Sequence, residues 1–286
     1  MKDTEAPQAA ASGRAVRKTD KGKERTRHMK IAACQFAVSG DIRRNAAKIK
    51  NALDQARQQG VQLAVFPECC LTGYPPRDIK SAAQADFVLI RDMCREFQSL
   101  ADASGPAFVI GSIYRDQNGN PVNRTILFQP GQPVQYYDKR ALWGWDSENF
   151  VPGKGTGVFT LNGIRIGIRI CFEVRFPEYF RELYKEKTDL NLILFYDAAD
   201  TDDLDRYDMI KGHIRTRAVE NVCTTVSVNT VYPYQTAPTA VFGRSGQILA
   251  ECSRNTEGMI VYDFEKTEDN FGELGRRTIS DSLTGR

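Results

Sequence analysis

The segment of residues 164–173 has the sequence IRIGIRICFE. Its isoleucines alternate with arginine or glycine, which is the two-residue period of a β-strand with one buried face. The alternation stops at Cys171, so the strand is predicted to end there. Before it, Asn162-Gly163 can adopt positive φ values and predicts a tight turn from a strand at 157–161. One charge, Arg169, falls within this strand and needs a partner or an edge position.

Strand and helix patterns alternate on both sides of this hairpin. Apolar residues recur at helical spacing from residue 42 until Gly60, and a second amphipathic helix is predicted over 82–104. Further helices are predicted after Pro177 and over 204–221. The remaining strands are predicted at 31–36, 61–66, 107–114, 125–129, 134–137, 192–196, 224–229, near 241, near 248 and at 259–264. Two such runs without a linker or a repeat predict an α/β fold with two sheets packed face to face and helices outside.

Charge is distributed unevenly along the 286 residues. The formal net charge is +3, but residues 1–29 contain eight Lys/Arg and four Asp/Glu, which leaves about −1 for residues 30–286. The body of the protein therefore has no bulk electrostatic attraction to nucleic acid. Residues 1–29 are polar and lack aromatic side chains and periodicity, so we expect a disordered tail, and Met29 is a candidate for the natural start. Residues 30–286 are predicted to form a single domain.

The cysteines and the apolar segments bear on the compartment. The seven cysteines are an odd number and contain no metal-type CxxC pair, which favours reduced thiols in the cytoplasm. No apolar run approaches the roughly 18 residues of a membrane helix, so no membrane association is expected. The tail also lacks the apolar centre of a secretory signal.

The sequence contains few histidines that could act in catalysis or bind a metal. There are two histidines, His28 in the predicted tail and His213 within a predicted helix. A Ser-His-Asp or Cys-His site would have to use His213, and two histidines argue against a His-rich zinc site. No GxxxxGK[ST] loop is present, and the glycines at 111–119 lack dinucleotide-binding spacing. We therefore expect neither a metal nor a cofactor, and chemistry carried by Cys, Glu and Lys.

Three residues of these types share one placement. Glu68, Lys139 and Cys171 each stand just past the end of a predicted apolar strand. Strand ends of an α/β sheet are where polar side chains converge on a crevice. Taken singly, a Glu or Lys at such a place is usually a solvated charge and a Cys is usually part of the core. The combination is what predicts a site.

Four segments in order, over residues 31 to about 264, resemble the nitrilase or carbon–nitrogen hydrolase superfamily. They are FPECCLTGYP at 66–75, YDKR at 137–140, GIRICFEVRFPE at 167–178 and RTRAVEN at 215–221. The resemblance implies a four-layer α-β-β-α sandwich. It implies that Cys171 is the nucleophile, that Glu68 is the general base, and that Lys139 and the backbone N–H of Phe172 hold the oxyanion.

Four further residues are candidates for the site. Many members of the superfamily place a second glutamate ahead of an aromatic-x-Pro-Gly turn, and Glu148 before 150–153 fits, although its spacing to the turn is short. Glu173 is a candidate for steadying the turn after the nucleophile. Arg175 is expected either to bind an acidic substrate or to pair with a nearby glutamate. Asp197 lies in an acidic segment that would favour a substrate bearing an amine or guanidinium.

The resemblance implies hydrolysis of a non-peptide C–N bond, with an amide or carbamoyl group of a small polar substrate as the leading expectation. Nitrile and glutaminase-type substrates are alternatives, because LTGYPPRD at 71–78 is similar to the glutaminase branch. A complete NAD synthetase is not expected, since no ATP-pyrophosphatase loop is present. A non-catalytic member that binds a metabolite or protein is the alternative of a different class. The superfamily also implies a homodimer or larger assembly, through the helices after the nucleophile and near 215–221.

Overall fold

The computed structural model describes residues 28–284 of the chain. Fourteen strands lie within these residues. They are β1 (His28–Gln35), β2 (Leu63–Val65), β3 (Ala107–Arg115), β4 (Pro121–Phe128), β5 (Gln135–Asp138), β6 (Val158–Leu161), β7 (Ile164–Ile170), β8 (Leu190–Leu194), β9 (Ala198–Ala199), β10 (Thr224–Val228), β11 (Tyr234–Gln235), β12 (Ala240–Phe242), β13 (Ile248–Glu251) and β14 (Gly258–Glu265).

Six α-helices accompany the strands: α1 (Ile42–Gln58), α2 (Phe87–Asp102), α3 (Trp145–Asn149), α4 (Pro177–Lys185), α5 (Leu204–Glu220) and α6 (Phe271–Leu283). Two 3₁₀ turns lie at Ala82–Gln84 and Cys171–Arg175. Local chemistry sets the helix starts. Asp41 and Asp86 each accept hydrogen bonds from the first backbone N–H groups of α1 and α2, which satisfies donors that have no partner within the helix. Pro177 begins α4, where its missing N–H costs nothing.

The large strands form two six-stranded mixed sheets. The order of the first sheet is β14-β1-β2-β3-β4-β5, and that of the second is β13-β12-β10-β8-β7-β6. Each sheet has three central parallel strands flanked by antiparallel ones: β1, β2 and β3 in the first sheet, and β7, β8 and β10 in the second. The short strands β9 and β11 pair with each other.

The apolar faces of the sheets create four layers. The core between the sheets takes the isoleucines of β7 at 164, 166, 168 and 170, packed with Leu63, Val65 and Val109 of the first sheet. The outer face of the first sheet packs on α1 and α2, and the outer face of the second packs on α4 and α5. The predicted α-β-β-α sandwich is confirmed, and it places the C-terminal ends of β2 and β7 on the two sheets that face each other.

Some element boundaries differ from the sequence prediction. The helix predicted over 82–104 is divided, because Asp86 caps a new helix at Phe87. His28 and Met29, which the prediction placed in the tail, belong to β1 and pair with Glu265 and Phe264 of β14. The rest of the predicted tail lies outside the described residues. Helix α6 was not predicted. In the described part of the chain no helix is both long and apolar enough to cross a bilayer.

Candidate active site

A pocket of about 290 Å³ opens where the strand ends of the two sheets meet. Its lining includes Lys139, which follows β5, and Cys171, which follows β7. Tyr74, Trp145, Arg175 and Asp197 also line it. Glu68 lies three residues beyond the end of β2 and is buried beside this pocket, with 1% of its surface exposed. The three strand-end residues predicted from the sequence are therefore brought together by the fold.

The Glu68 carboxylate accepts hydrogen bonds from three donors that lie far from it in the sequence. Its Oε1 accepts from Asn123 Nδ2 at 2.7 Å and from Lys139 Nζ at 2.8 Å, and its Oε2 accepts from the backbone N–H of Tyr196 at 2.7 Å. Burial raises the pKa of Glu68, and the Lys139 ammonium opposes that rise. A raised pKa makes this carboxylate a stronger base toward a proton donor in the pocket.

Lys139 contacts two carboxylates at once. Its Nζ lies 2.8 Å from Glu68 Oε1 and 2.7 Å from Asp146 Oδ2, and the side chain is 1% exposed. The backbone of Lys139 is fixed by hydrogen bonds from its N–H to Asn123 O and from Gly153 N–H to its carbonyl, both 2.9 Å. Burial alone would lower the pKa of Lys139, but the two carboxylates outweigh it and raise that pKa. The lysine is therefore a fixed positive charge in the pocket wall.

The second acid beside the lysine is Asp146, and the choice of Glu148 from the sequence is corrected here. Both residues lie on α3, but Asp146 is buried at 4% exposure whereas Glu148 is exposed. Asp146 also accepts a hydrogen bond from the Tyr74 hydroxyl at 2.8 Å. Positions 146 and 148 are two residues apart in the helix and therefore point in nearly opposite directions, so only one of them can face Lys139.

Cys171 occupies a strained turn at the end of β7. Its φ is +44°, a value that is uncommon for a residue with a side chain, and it begins the 3₁₀ turn Cys171–Arg175. The sharp change of direction presents the sulfur to the pocket, and the first N–H groups of such a turn, including that of Phe172, have no acceptor within it. Burial raises the pKa of the thiol, Glu68 raises it further and Lys139 lowers it. All three ionisable groups therefore act on one another.

Glu173 ties the cysteine turn to the lysine segment. It is fully buried, and its Oε2 accepts from the backbone N–H of Ile170 at 2.7 Å. Its Oε1 accepts from the backbone N–H of Arg140 at 2.8 Å and from the Tyr137 hydroxyl at 2.6 Å. One carboxylate thus bonds to the residue before Cys171 and to the residue after Lys139, which fixes the distance between the two segments.

Arg169, whose place in the strand the sequence did not explain, is completely buried on the outer face of the second sheet. Its guanidinium donates to the backbone carbonyls of Tyr179 (2.6 and 3.0 Å), Thr156 (2.9 Å) and Ile168 (2.7 Å). It also lies 5.5 Å from the centre of the Tyr137 ring. Arg169 therefore fastens α4 to the strand that carries the cysteine.

Arg175 and Asp197 both line the pocket, but within residues 28–284 only Asp197 has an ion-pair partner. Arg175 forms no ion pair within residues 28–284, and its guanidinium contacts the Phe172 ring and Met209 Sδ instead. Asp197 is buried, and its Oδ1 accepts from Arg206 Nε at 3.0 Å and Nη2 at 2.8 Å. Among the described residues Arg175 has no ion pair with Glu178, the nearby glutamate that was one of its two expected partners, and the charge of Asp197 is balanced by Arg206.

The sequence reasoning did not identify Asp146, Asn123 or Tyr74. A signal for Asp146 was present: Glu148 stands too close to the turn at 150–153, and a position further upstream on the same helix corrects the spacing. Asn123 and Tyr74 carry no such signal. Asn123 lies within β4, where it pairs with Ile113 of β3, and its contact with Glu68 depends on this register of the sheet.

The comparisons with known proteins agree with this geometry. A family model described as carbon–nitrogen hydrolase matches residues 30–268. The glutamine-dependent NAD(+) synthetase of Acinetobacter baylyi is 24% identical over 208 residues, which are 71% of this chain but only 36% of the synthetase. The 2-oxoglutaramate amidase of Bacillus subtilis is 28% identical over 203 residues, covering 70% of this chain and 75% of that protein.

Among solved structures, an amidase from Nesterenkonia sp. superposes with a TM-score of 0.73 and 26% identity, covering 87% of this chain and 96% of that one. A variant of that amidase carries the acetamide moiety of fluoroacetamide on its active-site cysteine. The family model covers most of the chain, and the solved fold agrees over the same region. This chain belongs to the carbon–nitrogen hydrolase family.

Proposed function

We propose that this protein hydrolyses the amide or carbamoyl group of a small polar substrate through an acyl-enzyme on Cys171. The observation that supports this most strongly is the buried cluster of Glu68, Lys139 and Asp146 beside a strained cysteine that lines the pocket. A non-catalytic binding protein has no need of a carboxylate, an ammonium and a thiol buried together at a cost in solvation.

The first step is proton transfer from the Cys171 thiol to the Glu68 carboxylate. The thiolate is the effective nucleophile, and the ammonium of Lys139 stabilises it. The thiolate attacks the carbonyl carbon, and the carbonyl oxygen becomes a tetrahedral oxyanion. Lys139 Nζ and the N–H of Phe172 stabilise this charge where it develops.

The second step returns the proton. Glu68 donates it to the leaving nitrogen, and ammonia or an amine departs as the oxyanion collapses to a thioester on Cys171. Glu68, again a carboxylate, removes a proton from a water molecule that attacks the thioester. Collapse of the second tetrahedral intermediate releases the acid and restores the thiol, so the residues finish as they began.

The pocket charges favour a substrate that carries a carboxylate away from its amide. Arg175 lines the pocket without an ion pair among residues 28–284, whereas Asp197 is already paired with Arg206. A partly buried cation without a partner is costly unless a ligand supplies the anion. An ω-amide of a dicarboxylic acid, or a ureido acid, would place its carboxylate at Arg175 and its carbonyl at Cys171.

The nucleophile is tested by alkylation with fluoroacetamide followed by mass spectrometry of the peptides. We expect one acetamide adduct on Cys171 and loss of ammonia release in Cys171→Ala. Cys94 and Cys252, which are also partly exposed, serve as internal controls and should remain unmodified on the same time scale. Full hydrolytic activity in Cys171→Ala would refute the mechanism, and an adduct without any turnover would favour a binding protein.

The substrate class is tested by a screen of ammonia release over ω-amides, ureido acids, glutamine, nitriles and neutral amides. Arg175→Gln should raise KM for the acidic amides by about 10-fold or more and leave neutral amides almost unchanged. Arg77→Gln is the matched control, because Arg77 also lines the pocket but is paired with Asp200 at 2.8 Å. Equal effects on acidic and neutral amides would contradict the assignment of Arg175. Preferred turnover of nitriles or glutamine would select those branches instead.

We further propose that the protein acts as a homo-oligomer in the cytoplasm. All seven cysteines are free thiols, which supports a reducing compartment. Light scattering after size exclusion would measure the oligomeric mass. A monomer at about 100 µM would contradict the proposed assembly.

A further inference from the structure

Helix α6 has its polar and apolar faces reversed relative to a surface helix of a globular protein. Each of its four charged residues, Glu273, Arg276, Arg277 and Asp281, is buried or half-buried. Each of its exposed residues is uncharged. An ordinary surface helix turns its apolar stripe to the core and its charges to water. This helix does the opposite, so burial in the described part of the chain does not explain its apolar side chains.

Polar contacts fix the orientation of α6 on the body of the protein. Glu273 accepts an ion pair from Arg244 at 2.9 Å, and Arg277 pairs with Asp269 and donates to the carbonyl of Val222 at 2.9 Å. At the other end the Tyr184 hydroxyl donates to Asp281 at 2.7 Å. Rotating the helix to bury its apolar stripe would break these bonds and leave charges unpaired. The outward direction of the stripe is therefore built into the fold.

The outward face is apolar along its whole length. Phe271 is 95% exposed, Leu274 57%, Ile279 61% and Leu283 81%. Small residues separate them, among them Gly275, where nothing lies within 4 Å of an added Cβ. Glycine within a helix costs about 1 kcal/mol relative to alanine. A face without charges, with large apolar side chains divided by small residues, suits close contact with a second helix.

The other segments of the chain and a membrane are poorer occupants of this face. Residues 1–27, which the structure does not describe, contain no aromatic, leucine or isoleucine side chain that could cover it. A helix that lies on a membrane carries free Lys or Arg beside its apolar stripe. Here Arg277 is bound to Asp269, and Arg276 donates to the carbonyl of Arg244 at 3.0 Å on the inner side.

We infer that the outward face of α6 is an interface between two copies of this chain, paired antiparallel about a two-fold axis. A two-fold axis brings the same stripe of both copies together, so the apolar side chains of one copy meet those of the other without any new partner. Helix α6 lies beside α4, whose Tyr184 hydroxyl and Arg181 guanidinium donate to Asp281 and Ser280, so this interface adjoins the one expected through α4 and α5.

The area predicts a pairing of moderate strength. Thirteen residues of helix span roughly 20 Å, and burying the exposed face removes on the order of 500 Å² from water per copy, or roughly 1,000 Å² in total. That total lies at the lower limit for specific association, so a Kd in the micromolar range is expected from α6 alone. Near the middle of the helix Thr278 is exposed, and in an antiparallel pair it approaches its own counterpart.

The first test is Leu274→Glu, which places a charge on this apolar face. Sedimentation velocity from ~0.1 to ~100 µM should show the assembly halved in mass, or its Kd raised by at least ~10-fold. Val88→Glu is the matched control, because Val88 is 60% exposed on α2, and its mass should equal that of the wild type. Unchanged circular dichroism and ammonia release would show that both variants are folded. The same mass and concentration dependence in Leu274→Glu and wild type would overturn the inference.

The second test asks whether two α6 helices touch. Thr278→Cys should form a covalent dimer with a short bismaleimide much faster than Val88→Cys, which accounts for background from the native thiols. Equal rates would overturn the pairing. A flotation assay with vesicles of phosphatidylcholine and phosphatidylserine covers the alternative. Binding of wild type that Leu274→Glu abolishes, without any change in mass, would assign the face to a membrane and refute the inferred dimer.

Discussion

Removing the charge of Asp146 should move the acid limb of the pH–rate profile to lower pH. Glu68 and Asp146 contact the same Lys139 nitrogen at 2.8 and 2.7 Å, so the contacting oxygens lie within about 5.5 Å of each other. At an effective dielectric constant of about 20, two charges at that distance repel by ~3 kcal/mol. Because Asp146 raises the pKa of Glu68, its loss lowers that pKa.

The sign of the effect follows from the proposed role of Glu68 as the base. Activity is lost as Glu68 becomes protonated, so a lower pKa extends activity to more acidic solution. We expect the acid limb of kcat/KM for Asp146→Asn to fall by about 1 to 2 pH units, with a lower plateau because Lys139 loses one of its two anchors. The value is below the full Coulomb figure because asparagine keeps a dipole at the same place.

The assay is ammonia release over the pH range, with the best substrate from the screen. Glu148→Gln is the matched control: it removes the same charge from the same short helix, but from an exposed side chain, and its profile should coincide with that of the wild type. An acid limb that stays in place or moves to higher pH in Asp146→Asn would refute the reasoning. A shift in Glu148→Gln but not in Asp146→Asn would restore the assignment made from the sequence.

Three further substitutions test the scaffold of the site. Glu173→Gln should lower the free energy of unfolding in urea by roughly 2–3 kcal/mol, because an amide cannot accept from all three donors. It should also lower kcat by a larger factor than it changes KM. The control is Glu178→Gln, an exposed residue nearby, which should change the free energy of unfolding by less than about 0.5 kcal/mol. Arg169→Met should cost roughly 3 kcal/mol, measured in the same way, because buried carbonyls lose their donor. Gly111→Ala, whose Cβ would lie 2.6 Å from the Cα of the proposed base, should lower kcat/KM about 100-fold, whereas Gly212→Ala in open space should stabilise the protein by up to about 1 kcal/mol.

The parts of the fold that were predictable are those in which local pattern and burial agree. The alternation in β7 predicted its inward isoleucines, and the Asn162-Gly163 pair predicted the turn, where both residues have positive φ. Residues of α1 at the predicted spacing are the buried ones. Glu68, Lys139 and Cys171 could be predicted because the strand ends of the two facing sheets converge, so residues that follow these strands in the sequence lie close together in the fold.

What could not be predicted depends on contacts between distant segments. The choice between Asp146 and Glu148 is a rotation of one short helix, and its sequence contains an acid on both faces. Arg169 is tolerated because carbonyls of α4 and of a loop reach it, and no pattern within β7 indicates them. Helix α6 was missed because its large apolar residues are exposed and do not face the core, so a search for buried periodicity does not detect it.

The raised pKa of Cys171 is compatible with the proposed mechanism because the cluster keeps its total charge during the first step. A lone buried thiol with a raised pKa is inert. Here Glu68, Asp146 and Lys139 together carry one negative charge while the thiol is neutral, and moving the proton from Cys171 to Glu68 leaves that total unchanged. Burial raises the pKa of both donor and acceptor, so it largely cancels in the difference between them. Once Glu68 is neutral, Lys139 is left with one carboxylate partner instead of two, and its remaining charge is directed to the thiolate and then to the oxyanion. The burial that would disable an isolated cysteine is therefore what concentrates the lysine charge on the reacting atoms.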